Sequence, residues 1–163
     1  MIDIKLFNKQ AVSFKKENEI FFKKLKTKKN INLDNVFHKA HNAVFKNTDC
    51  LACANCCKTT SPIFYQIDIE RAAKALKIKP GDFIKQYLFM DEDGDFVLKS
   101  APCPFLDDEN YCKIYKDRPT ACKEYPHTNR KNIRQILNLT YNNTLVCPAV
   151  LNIVEKIKNE IKI

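Results

Sequence analysis

The chain has 163 residues, sized for one domain with a core of its own. Hydrophobic residues make up 45%, which excludes compositional disorder, and no apolar run reaches the length a membrane-spanning helix needs. The formal charge is +9, but residues 1–30 hold nine Lys against Asp3, Glu17 and Glu19; an excess this local is a solvated helix face before it is a nucleic-acid footprint.

Taken in chain order, `MIDIKLFNKQAVSFKK` lacks the apolar segment and cleavage site of a secretory signal, which predicts a cytoplasmic chain. Residues 4–27 read as an amphipathic helix. Its stripe of Phe7, Ala11, Phe14, Phe21 and Leu25 is interrupted by Asn18, and its lysines lie mostly off the stripe. A second helix starts near Asp34, with Leu33, Val36, Phe37, Ala40 and Val44 inward, and is expected to pair antiparallel with the first. Asp68 is placed to cap `IERAAKAL`, and `GDFIKQYLF` continues the helical pattern after Pro80. `FMDEDGDFVLK` reads as a hairpin turning at Asp93-Gly94; the spacing and closing Glu of a calcium loop are absent. `RPTACKEYP` fits one helical turn between Pro119 and Pro126. `CPAVLNIVEKIKNEI` fits a final helix with Cys147 at its cap and Pro148 at its first position. Only Gly81 and Gly94 occur, so no glycine-rich phosphate loop or dinucleotide fingerprint exists. The expected fold class is mainly α (α+β with at most a small β-hairpin), one compact helical domain organised around a cysteine metal cluster. Within it, residues 1–46 form a basic helical arm, 47–148 the cysteine core and 149–163 the C-terminal helix.

Eight cysteines carry the chemistry: Cys50, Cys53, Cys56, Cys57, Cys103, Cys112, Cys122 and Cys147. In a reducing compartment such clustering points to metal or redox work before disulfides. Two residues between cysteines let a tight turn bring both sulfurs round one ion, and Cys50-x2-Cys53-x2-Cys56 makes two such steps in succession. That run also opens the bacterial ferredoxin pattern, from which Cys57 at once departs. Neighbouring side chains leave the backbone in different directions, so Cys56 and Cys57 are predicted to serve different metal positions. Eight thiols suit two four-ligand sites, or one cluster with supporting ligands. Cys147, at a helix amino terminus, is expected to gain thiolate character from the dipole.

`CLACANCC` followed by `CPFLDDENYCKIYKDRPTACKEYP` resembles the YkgJ-like CxxCxxCC cysteine-cluster family, a zinc- or iron-chelating domain. Cys50, Cys53, Cys56 and Cys57 match its first motif. Cys103, Phe105, Leu106, Cys112, Ile114, Tyr115, Arg118, Pro119, Cys122, Tyr125 and Pro126 match its second. Ala54-Asn55 stand where the family usually has Gly-Lys. The resemblance implies metal chelation; the flagellin lysine methylase shares the cysteine domain, but this chain offers no obvious methyl-donor site.

Arg118 is read as shaping the loop between ligands or as a donor to cluster sulfurs. Tyr115 and Tyr125 are read as packing residues, and His38 and His41 as surface residues; His127 is a secondary ligand candidate. The leading reading is a cytoplasmic metal-binding protein holding zinc or an iron–sulfur cluster through the eight cysteines, with no catalytic residue assigned. Its alternatives are an iron–sulfur redox or protein-modifying enzyme component, and a zinc-organised nucleic-acid or protein adaptor using the lysine-rich arm. The metal ion is the one partner the residues name; no module for reading nucleic acid is present.

Overall fold

The computed structural model describes residues 3–161, and its first helix begins where the Asp3 carboxylate accepts from the Leu6 amide at 3.0 Å. Chain contacts fall into two compact units, Met1–Cys53 with Pro126–Ile163, and Ala54–Tyr125. The division falls inside the first cysteine run, between Cys53 and Ala54.

In the first unit, α1 spans Ile4–Thr27 and α2 spans Leu33–Phe45, close to the expected limits. Asn32 caps α2 by accepting from the Asn35 amide at 3.1 Å. A short α3 covers Cys50–Cys53, capped by Asp49 through the amides of Leu51 and Ala52. The unit also contains α8 (Leu137–Asn143), entered from a 3-10 turn at Ile133–Ile136, and α9 (Pro148–Glu160). α9 buries Ala149, Val150, Leu151, Ile153, Val154 and Ile157, more than one stripe. It therefore serves two neighbours. Leu151 meets Phe7 and Ala11, while Ile153, Val154 and Ile157 join Phe21, Leu25, Phe37 and Val44 in the main core. As a result α2 packs chiefly on α9, and α1 on α8 and α9, in place of the expected α1–α2 pair. Each large apolar side chain so buried contributes about 1.5–3 kcal/mol.

Polar clamps close the same unit. The Asp34 carboxylate accepts from the amides of Asn132 (2.7 Å) and Ile133 (2.9 Å), which hold its pKa below the usual range. Arg134 donates to the carbonyls of Leu25, Lys26, Lys28 and Ile31.

In the second unit, α4 (Asn55–Thr59), α5 (Gln66–Ala75), α6 (Pro80–Tyr87) and α7 (Thr120–Glu124) accompany a small antiparallel sheet. The hairpin of β2 (Leu88–Met90) and β3 (Phe96–Leu98) turns at Gly94, whose φ of 84° suits glycine, and β1 (Ile63–Phe64) pairs with the other edge of β3. The Asp91 carboxylate is consumed by this turn, accepting from the amides of Asp93 and Asp95. Phe83 stacks on Phe105 with centroids 5.8 Å apart, at the centre of a core with Phe64, Ile69, Leu88, Leu98 and Ile114. The fold is thus mainly α with one small sheet. Among the described residues, no helix is long and apolar enough to cross a membrane.

Asn18, the interruption in the α1 stripe, is fully buried, and neither of its amide atoms meets a hydrogen-bond partner. An unpaired buried amide costs about 1–3 kcal/mol. Asn18→Leu is therefore expected to stabilise the protein by about that amount, read as a higher midpoint in urea unfolding; an unchanged or lower midpoint would count against this account of α1.

Candidate metal centre

The cysteines divide between the two units. Cys50, Cys53 and Cys147 belong to the first; Cys56, Cys57, Cys103, Cys112 and Cys122 belong to the second. None of the eight is in a disulfide.

In the second unit the backbone gathers the ligand-bearing segments. The Cys103 amide donates to the Cys57 carbonyl at 2.8 Å, fastening the doublet to the segment 46 residues on. From there the chain makes a narrow loop. Leu106 pairs with Cys112, and the Lys113 amide donates to the Phe105 carbonyl at 2.8 Å. Asp107 builds the tip, its carboxylate accepting from the amides of Glu109 (3.0 Å) and Tyr111 (2.7 Å). Pro119 then sets the entry to α7, which carries Cys122.

The thiols of this unit are partly buried and feel one another's charge. Burial pushes Cys122 up to about 12, and the charges of Cys57, Cys103 and Cys112 push in the same direction. Burial likewise takes Cys103 up to about 11 and raises Cys112. Cys57 goes the other way, to about 7, because the Cys56 thiol donates to its sulfur, with Lys58 and Arg118 adding positive charge against the opposing effect of burial. The sulfurs of the doublet therefore meet each other. Only Cys57 of the two figures among the charges felt by Cys103, Cys112 and Cys122.

Cys147 sits at the cap of α9, as expected, but burial outweighs the helix end and pushes its thiol up to about 11. The amides of Val150 and Ala149 oppose that rise, and Cys50 and Cys53 add to it. The same local device recurs at Cys103, where the amides of Phe105 and Leu106 favour the thiolate, and at Cys112, where the Ile114 amide does. Cys103 and Cys147 are each followed by proline. Proline has no N–H, so the first donors available to the sulfur are the amides two and three residues on. Backbone donors aimed at sulfur stabilise the ionised form, which is the metal ligand. The donor set thus has the chemistry of a thiolate metal site. Among the described residues, no three His, Cys, Asp or Glu side chains are already converged at metal-holding geometry.

Arg118 lies over the Tyr115 ring at 3.9 Å and donates to the Tyr115 carbonyl. Its charge lowers the pKa of Cys57, Cys112 and Cys122, so it supports the loop and supplies a counter-charge. His38 and His41 fasten the chain. His38 Nε2 donates to the Arg130 carbonyl (3.0 Å), and His41 Nδ1 lies 2.7 Å from the hydroxyl of the buried Thr128. Asp68 and Arg71 reach the backbone of residues 117–120 across 46 to 52 residues of sequence, a separation that leaves no local signal.

The family described as CxxCxxCC, putative zinc- or iron-chelating domain, matches residues 49–147, and the chain belongs to it. It is also similar to an uncharacterized protein of Methanocaldococcus jannaschii, 33% identical over 82 residues, which are 48% of this chain and 44% of the relative. The chain therefore spans less than half the length of that relative. No solved structure matches.

Ala54, at the usual glycine position of the motif, is buried with φ 46° and ψ 16°, in the left-handed region. That conformation strains any residue with a Cβ by about 1–2 kcal/mol. Ala54→Gly relieves the strain and loses part of the gain to chain entropy, so a stabilisation of about 0.5–1 kcal/mol is expected in thermal unfolding. A lower melting temperature would contradict the reading of the turn.

Proposed function

We propose that this chain is a cytoplasmic metal-binding protein that chelates zinc or iron through its eight cysteine thiolates. Cys57, Cys103, Cys112 and Cys122 make a four-thiolate centre in the second unit. Cys50, Cys53 and Cys147 form the thiol group of the first, and Cys56 completes the eight. The observation that carries this reading is that the charge of Cys57 bears on Cys103, Cys112 and Cys122 alike. Three thiols that resist ionising beside a fourth drawn towards the thiolate are the arrangement a divalent cation reverses, since its charge favours every thiolate at once. Four thiolates around zinc close its coordination, which suits a structural or storage role more than an open catalytic one. Arg118 would offset part of the negative charge such a centre leaves.

The successive Cys50-x2-Cys53-x2-Cys56 steps favour a second reading, an iron–sulfur cluster. Anaerobic purification with metal and acid-labile sulfide analysis separates the two. A colourless protein with stoichiometric zinc supports the first, and a brown one with iron and sulfide the second; a protein with neither metal overturns chelation.

Proton release gives an independent check. At pH 7, Cys103, Cys112 and Cys122 are protonated and Cys57 is about half ionised. Filling that centre with Zn2+ should release about three to four protons, and its affinity should fall steeply as pH drops below 7, because protons then compete for every ligand. Release of about one proton or fewer per zinc, measured in weakly buffered solution, would contradict the four-thiolate assignment.

A further inference from the structure

Asp68 has no exposed surface, yet its carboxylate accepts four hydrogen bonds. One carboxylate oxygen accepts from the Tyr65 amide at 3.2 Å, closing the first turn of an α5 that starts three residues before the expected position. The other accepts from Arg71 Nη2 (2.6 Å), the Thr120 amide (3.0 Å) and the Thr120 hydroxyl (2.9 Å). Arg71 reaches the same strap, donating to the carbonyls of Asp117 (3.3 Å) and Arg118 (2.9 Å). Residues 117–120 join the Cys112 segment to α7, and Cys122 follows two residues later, its amide donating to the Pro119 carbonyl at 2.9 Å.

We propose that Asp68 and Arg71 are positioning residues for the metal centre: by gripping the Asp117–Thr120 strap from α5, they hold in place the segment that brings Cys122 to Cys57, Cys103 and Cys112, and so set metal affinity. This rests on the chelation reading. A loose strap would have to be ordered when metal binds, and that conformational entropy would be subtracted from the affinity. Burial alone raises the Asp68 carboxyl, but the Thr120 hydroxyl and amide, the Tyr65 amide and Arg71 outweigh it and keep the group below the usual carboxylate range. The charge that grips the strap is therefore present at neutral pH. Its contribution to stability is held above the ordinary Asp pKa and lost as pH falls through the lowered one.

The test is Zn2+ affinity of the full chain, measured by competition with a chromophoric chelator, for wild type, Asp68→Asn, Thr120→Val, Thr120→Ser and Val97→Ala. Asp68→Asn and Thr120→Val should weaken zinc binding about 10–100-fold, the usual effect of removing a partner that orients a ligand. Thr120→Ser keeps the hydroxyl and should stay within about twofold of wild type. Val97→Ala, a sheet substitution that lowers stability without touching the strap, should also stay within about twofold. Thr120→Val keeps the experiment decisive if Asp68→Asn does not fold. Wild-type affinity in Thr120→Val, or an equal loss in Val97→Ala, overturns the positioning role. Failure of wild type itself to bind Zn2+ overturns zinc chelation, and the positioning role with it.

Discussion

A thiol removed from water resists ionising, and several thiols removed together resist it more. The second unit imposes that condition on Cys103, Cys112 and Cys122, while Cys57 is drawn towards the thiolate. As plain core residues, cysteines would need no backbone donors aimed at their sulfurs and no counter-charge. Here both are present: amides at Cys103, Cys112 and Cys147, and Arg118 near three of the thiols. The arrangement disfavours isolated thiolates while providing what thiolates on a cation use.

The rest of the second unit reads as support for that condition. The Phe83–Phe105 stack anchors the segment after Cys103, and Asp107 shapes the loop that returns the chain to Cys112. The Cys57 carbonyl binds the Cys103 amide. The first unit achieves its own order by a different route, wedging an α9 that is apolar on more than one face among α1, α2 and α8.

Much of this was legible from residue pattern. Helix limits followed from period and caps: α1, α6, α7 and α9 lie where the apolar stripes and prolines put them. The hairpin followed from Asp93-Gly94. What escaped was tertiary. Nothing local says that α2 prefers α9 to α1, because an apolar stripe does not name its partner. The dipole argument for Cys147 was sound in direction, but burial, which one sequence does not reveal, outweighed it. The doublet was expected to serve different metal positions; the hydrogen bond between its two thiols is a contact that the spacing carries no sign of. The family motif marked Arg118 and both ends of the strap, while Asp68 and Arg71, 46 to 52 residues from what they hold, left no local signal.

Family membership and the chemistry of the donor set agree on chelation of zinc or iron. The central claim is that the metal meets sulfur alone. X-ray absorption at the metal edge of the loaded protein measures this directly. The account predicts a first shell of four sulfurs at about 2.3 Å, as thiolate ligation requires for zinc. A shell containing nitrogen or oxygen from His38, His41, His127 or solvent would contradict it.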